Sequence, residues 1–192
     1  LCTVERKNEL NTYGEKYGCL IESMSGRMIP LETALCNSEK GDVSNVCEED
    51  IAFIQYSSGS TDNPKGVVLT HKNLLANLEA ISEGFQATSE DVMIYWIPLT
   101  HDMGLIGGHL SSIFNKMSQI VMETRLFIIK PNLFLEQITK HKATFFPISD
   151  FGIQYLIKSL KKETDFTYDL SSIKYIVNGA EPISVNKCIE FL

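Results

Sequence analysis

The chain has 192 residues, 44% of them hydrophobic, with 17 Lys and Arg against 24 Asp and Glu for a formal net charge of −7. That length buries roughly 70% of the unfolded surface, and 21% charged residues with a mean hydropathy of −0.01 describe an ordinary globular protein and exclude a disordered one. The acidic balance argues against a nucleic-acid surface, and no apolar run nears the roughly 18 residues that cross a bilayer.

The five cysteines (Cys2, Cys19, Cys36, Cys47, Cys188) are odd in number and form no C-x-x-C. They read as reduced thiols of a cytoplasmic protein. Residues 1–50 are weakly patterned and end in an acidic stretch with Asp42, Glu48, Glu49 and Asp50. They are expected to be an irregular segment and connector, with residues 51–192 forming the organised part. The chain opens on Leu1 and stops at Leu192 in a helical pattern, so a fragment of a longer polypeptide is expected.

From Ile51 the pattern sharpens. Ile51–Tyr56 reads as a strand, Ser57–Gly66 as a polar loop and Val67–Leu69 as a further extended run. Thr70 or His71 can cap a helix with Leu74, Leu75, Leu78 and Ile81 on one face, and Gly84 sits where a C-cap glycine belongs. Val92–Ile97 reads as a buried strand, followed by a helix from about Gly104 to Asn115. Then come a strand at Gln119–Met122, a helix at Asn132–Lys140 behind Pro131, and a strand at Ala143–Phe146. A helix from about Asp150 to Lys162, with Asp150 expected to cap it, leads to a last strand at Ile173–Val177. Apolar strands alternating with amphipathic helices predict an α/β fold with a mostly parallel sheet flanked by helices.

Three segments carry chemistry. Tyr56-Ser57-Ser58-Gly59-Ser60-Thr61-Asp62-Asn63-Pro64-Lys65-Gly66 offers hydroxyls, glycines and one lysine, the ingredients of a phosphate cradle. It is not a G-x-x-x-x-G-K-[ST] loop, because its lysine precedes its glycine and a strand follows. On composition alone a polar turn remains as good a reading. His101 and Asp102 follow a strand, where ligands bind in open α/β sheets. A dinucleotide fingerprint fails on the spacing of Gly104, Gly107 and Gly108, and His101 and His109 do not complete a metal set. Asn178-Gly179-Ala180-Glu181-Pro182 ends a strand and, in isolation, reads as a turn.

Taken in order, YSSGSTDNPKGVVLTH, W-x-P-L-x-H-D-M-G-L-I-G and N-G-A-E-P resemble the signatures of the adenylate-forming, AMP-binding superfamily of acyl-CoA synthetases, luciferases and peptide-synthetase adenylation domains. The resemblance runs over about residues 50–192. It is closest to fatty acyl-AMP ligases and to loading domains of hybrid polyketide/peptide synthetases. It implies part of a large N-terminal domain, without the C-terminal domain and its lysine. It also implies a ligase that joins a carboxylic, expectedly fatty, acid to ATP as acyl-adenylate and releases pyrophosphate.

By that resemblance Ser58, Gly59, Ser60, Thr61 and Lys65 hold the ATP phosphates, with Ser60 beside Mg²⁺. His101 orients the substrate carboxylate, Met103 and Gly104 border the acyl group, and Gly179, Ala180, Glu181 and Pro182 line the adenine. Gly107 and Gly108 could equally serve helix–sheet packing. The thiol acceptor is the phosphopantetheine of an acyl carrier protein or coenzyme A. Asp62 stands where relatives carry glycine, and with the missing downstream half it motivates the alternative of a degenerate, non-catalytic nucleotide-binding module. Neither a nucleic-acid partner nor a membrane span is expected.

Overall fold

The computed structural model describes residues 8, 9, 11, 12, 41, 44–57, 65–162 and 167–191. Its internal contacts divide the chain into residues 1–46 and residues 47–192. In the first unit residues 8, 9, 11 and 12 are helical, and the Thr12 hydroxyl donates to the Asn8 carbonyl at 3.0 Å. All elements that follow belong to the second unit.

Strands β1 (Ile51–Ser57) and β2 (Lys65–Thr70) pair antiparallel, with Ile54 opposite Val68 and Tyr56 opposite Gly66. They form their own two-stranded sheet, so the expectation of a mostly parallel sheet holds for the later strands and not for this pair. The reason is length: seven residues separate Ser57 from Lys65, whereas a parallel crossover takes a dozen or more. Lys65 and Gly66 lie in β2 and not in the loop. Ile51, Ile54, Tyr56, Val67 and Val68 remain exposed along the ribbon.

Helix α1 (His71–Phe85) starts on a reciprocal cap. Thr70 Oγ1 accepts from Asn73 N at 3.2 Å and Asn73 Oδ1 accepts from Thr70 N at 3.1 Å. Its end corrects the expectation for Gly84, which lies inside the helix. Gln86 takes the left-handed position at φ 50°, and Ala87 N reaches back to Ser82 O at 3.1 Å.

The main sheet holds β3 (Val92–Tyr95), β4 (Ser118–Val121), β5 (Phe145–Ile148) and β6 (Tyr175–Asn178), all parallel, in the order β4-β3-β5-β6. The β3–β5 seam is thin, registering at Met93 with Phe145, and Pro147 has no N–H with which to extend a ladder. The N-terminal ends are stitched through Thr144. Its hydroxyl accepts from Val92 N at 2.9 Å, and its carbonyl accepts from Lys174 N at 2.8 Å.

Alternation divides the core. On one face Ile94, Trp96, Phe146 and Ile148 pack with α3 (Thr124–Ile129), α4 (Asn132–His141) and α5 (Asp150–Leu160). Trp96 stacks on Phe127 at 4.0 Å, and Phe134 meets Phe127 and Phe146 edge-on at 5.5 Å each, geometries that aromatic quadrupoles favour over a direct sandwich in the edge-on cases. The opposite face is smaller: Met93, Tyr95, Met117 and Phe145, with Phe85 of α1 against them. Helix α6 (Val185–Phe191) closes the described chain.

Between β3 and β4 the helix expected from about Gly104 to Asn115 begins as a π-helix, Met103–Leu110, and continues as a short α2 (Ser111–Phe114). Periodicity over so few residues does not separate the two windings. Two glycines pin this one to the sheet. A methyl group on Gly104 would lie 2.5 Å from Pro98 O and 2.6 Å from Ile97 O, and one on Gly108 would lie 3.0 Å from the Tyr95 ring. The closeness of both contacts fixes the helix against β3. Wide turns of this kind are frequent at functional sites. No helix among the described residues is long and apolar enough to cross a membrane.

Candidate active site

Strand order places the topological switch between β3 and β5. The chain leaves β3 toward β4 on one side, and β5 continues to β6 on the other. Loops leaving the C-terminal ends of two such strands diverge, and the crevice between them is where open α/β sheets bind ligands. Here those segments are Trp96–Asp102 after β3 and Ser149–Phe151 after β5, with Gly179–Ser184 after β6 beside them.

An open cleft of about 310 Å³ lies there, lined by Asn77 and Ile81 of α1, by His101, Asp102, Met103, Ile106 and Gly107, and by Ala180. Residues from two sequence signatures therefore meet: His101 and Met103 from one, Ala180 from the other. Gly179 sits directly behind, since a methyl group on it would be 3.0 Å from Met103 Cε. Gly104 is not on the lining; it packs on the Ile97–Pro98 backbone. Gly107 faces open space and lines the cleft, and Gly108 packs on Tyr95.

His101 and Asp102 are tied together at the start of the π-helix. His101 Nδ1 lies 2.9 Å from Asp102 Oδ1. Met103 N donates to Asp102 Oδ1 at 2.9 Å and also approaches His101 Nδ1 at 3.1 Å. A proton on Nδ1 points to the carboxylate; without it Nδ1 accepts from the backbone. In both tautomers Nε2 has no protein partner among the described residues, which leaves it for a ligand.

The turn after β6 is held from three sides. Gly179 N donates to Ile148 O at 3.2 Å, Phe151 N donates to Glu181 Oε1 at 2.7 Å, and Ser184 N donates to Asp150 Oδ1 at 2.9 Å. Between these anchors Ala180 adopts φ 71°, a left-handed conformation that costs any residue bearing a Cβ. Glu181 thus spends its carboxylate on α5, and Pro182 is exposed.

The expected capping role of Asp150 is filled by Ser149, whose Oγ accepts from Gly152 N at 3.2 Å. Asp150 follows the cap and is buried, and its Oδ2 accepts from Lys187 Nζ at 2.5 Å. The Lys187 hydrogen bond first, and Ser184 N second, hold its carboxyl below the usual carboxylate range.

Lys65 opens β2, exposed and opposite Ser57, and is not on the cleft lining. Ser58, Gly59, Ser60 and Thr61, with Asp62, lie outside the described residues. Among the described residues no three His, Cys, Asp or Glu side chains cluster as a metal site.

Sequence reasoning passed over Asn77, Ile81 and Ile106 as lining residues. Asn77 and Ile81 are four apart on α1 and so share a face, but nothing in their types marks that face as facing a ligand.

Comparison with known proteins places the chain. A family model described as AMP-binding enzyme matches residues 7–191. The medium-chain-fatty-acid–[acyl-carrier-protein] ligase JamA of Moorena producens is 33% identical over 153 residues, 80% of this chain and 26% of that protein. The solved fatty acyl-adenylate ligase from L. pneumophila, in complex with acyl adenylate and pyrophosphate, superposes with a TM-score of 0.73 at 39% identity, covering 78% of this chain and 26% of that one. The structure of McyG A-PCP complexed with phenylalanyl-adenylate gives a TM-score of 0.88 at 25% identity, covering 98% and 29%. The chain spans about a quarter of the length of the curated relatives it matches.

Proposed function

The chain belongs to the AMP-binding enzyme family, and from that premise we propose that the polypeptide carrying it activates a fatty carboxylic acid with ATP and passes the acyl group to the phosphopantetheine thiol of an acyl carrier protein. The observation that carries the reading is the meeting of His101, Met103 and Ala180 in one cleft at the sheet's switch point. These residues come from segments some eighty positions apart, which the order of the three signatures, and neither segment alone, marks as substrate and adenine contacts.

In this reading a carboxylate oxygen attacks the α-phosphorus of ATP. The new O–P bond forms as the bond to the β-phosphate oxygen breaks, and pyrophosphate leaves with the electron pair. Two anions must be aligned, so the protein's work is positioning and charge stabilisation. His101 Nε2–H donates to the substrate carboxylate, with Nδ1 accepting from the Met103 amide. Met103, Ile106, Gly107 and Ile81 offer the apolar wall on which an alkyl chain would lie. The backbone of Gly179 and Ala180 faces the adenine. Lys65, with Ser58, Gly59, Ser60 and Thr61, is assigned to the phosphates. Magnesium would ride on the triphosphate beside Ser60, as this ion commonly does, and would neutralise phosphate charge.

The decisive experiment is ATP–pyrophosphate exchange by the polypeptide that carries these residues, with fatty, hydroxy and amino acids in parallel, followed by transfer to carrier protein or to free coenzyme A. Exchange driven by a fatty acid, with product on the carrier protein, supports the reading in full. Product on coenzyme A would make it an acyl-CoA ligase. A folded polypeptide with no exchange for any acid would refute adenylation and leave a nucleotide-binding module.

A further inference from the structure

We propose that Asp150 is a positioning residue for the turn between β6 and α6, holding Ala180 in the left-handed conformation that faces the cleft; its functional consequence rests on the reading of that turn as the adenine surface. Asp150 sits in the first turn of α5, yet it does not cap that helix, because Ser149 does. Its side chain is 7% exposed and crosses to the other segment, where it takes Ser184 N at 2.9 Å and Lys187 Nζ at 2.5 Å. Glu181 makes the return connection, accepting from Phe151 N at 2.7 Å. Two carboxylates therefore cross in opposite directions between α5 and residues 181–187.

Ala180 lies inside this clasp, one residue after an amide anchored on Ile148 O. An alanine at φ 71° stays there only where its surroundings impose the conformation. The clasp does so from the C-terminal side and Gly179 from the N-terminal side. If Asp150 served only as an acidic residue near a helix N-terminus, its loss would leave residues 178–184 unchanged. As a clasp member its loss frees Ser184 N and leaves Lys187 without its partner.

The test uses the ¹⁵N-labelled chain, with adenosine monophosphate as the probe and backbone amide resonances as the readout. In the wild type the amides of Gly179, Ala180 and Glu181 shift on titration, and the Ser184 amide exchanges slowly with solvent. In Asp150→Ala, Ser184 exchange accelerates and nucleotide affinity falls on the order of tenfold. Asp150→Asn recovers affinity to within about threefold, because its amide oxygen still accepts from Ser184 N. A general loss of stability would not produce that rescue.

Trp96 fluorescence checks that each variant is folded. Should Asp150→Ala fail to fold, Asp150→Leu with Lys187→Met removes the acceptor for Ser184 N without leaving a cavity or an unpaired ammonium and carries the same comparison. A folded Asp150→Ala with wild-type affinity and a still-protected Ser184 amide overturns the proposal. If the wild type shows no shift at residues 179–181, the adenine reading fails. The exchange readout then decides the positioning claim: unchanged protection at Ser184 in Asp150→Ala overturns it as well.

Discussion

Gly104→Ala separates a packing glycine from a cleft glycine. The added methyl carbon would lie 2.5 Å from Pro98 O and 2.6 Å from Ile97 O, both backbone atoms that no rotamer change can move. Reaching an ordinary contact of 3.4 Å from 2.5 Å means lifting the start of the π-helix away from the end of β3 by about 0.9 Å. Over-packing of this kind costs about 3 kcal/mol at the unfavourable end. Replacing a helical glycine by alanine returns about 1 kcal/mol, so the net loss is about 2 kcal/mol.

With a urea slope of about 2 kcal/mol/M, that lowers the unfolding midpoint by about 1 M. The assay is built in: Trp96 is the single tryptophan of the chain and lies buried against Phe127, so its emission reports loss of the core. Gly107→Ala is the control, because nothing lies within 4 Å of its added carbon. There the propensity gain of up to about 1 kcal/mol stands unopposed and the midpoint rises. Equal midpoints for the two variants would refute the assignment of Gly104 to packing.

Ala180→Gly removes a Cβ from a left-handed position and should stabilise the chain by about 0.5–1 kcal/mol, read as a higher urea midpoint. Lys174→Met leaves Asp91, whose side chain is fully buried and bonded to the Lys174 Nζ at 2.6 Å, without its ammonium. The Thr88 amide and hydroxyl still donate to the other carboxylate oxygen. The expected loss is about 1–3 kcal/mol, and a midpoint within error of wild type would count against the pairing.

Acid should destabilise the chain through three carboxylates. Burial raises Asp91, but the Lys174 hydrogen bond and the Thr88 and Thr144 donors outweigh it and hold it low. Lys187 lowers Asp150, and Lys142 with Ser171 lowers Asp169. A folded-state value below the unfolded one, about 3.9 for Asp, contributes stability that is complete above that pH and disappears as pH falls through the folded value. The urea midpoint should therefore change little between about pH 5 and 7 on account of these groups and drop below about pH 4. Lys142→Gln should flatten the acid limb.

Local signals carried much of the fold. Thr70, one of the two caps offered, starts α1, and the buried apolar run read at Val92–Ile97 contains β3. What misled were signals with two physical solutions. Gly84 offered a helix end, but the chain closed two residues later on Gln86. The apolar run Leu126–Ile129, next to Pro131, carried no helical period long enough to reveal α3. Asp150 and Ser149 were both competent caps, and the hydroxyl took the role while the carboxylate found a distant lysine. At the site, motif order pointed to His101, Met103 and Ala180, which share the cleft. The cleft-facing side of α1 was illegible, because Asn77 and Ile81 acquire their surroundings only when the sheet brings His101 opposite.

The hairpin β1–β2 has a practical consequence for handling the protein. Isolated two-stranded ribbons are marginal in water, and this one displays Ile51, Ile54, Tyr56, Val67 and Val68 to solvent. Flat apolar strands with unsatisfied outer edges are templates for sideways pairing between molecules. Concentrating this chain should therefore favour self-association through the ribbon. A lysine in place of Ile54 or Val68 would act as a gatekeeper there without touching the parallel sheet or the cleft.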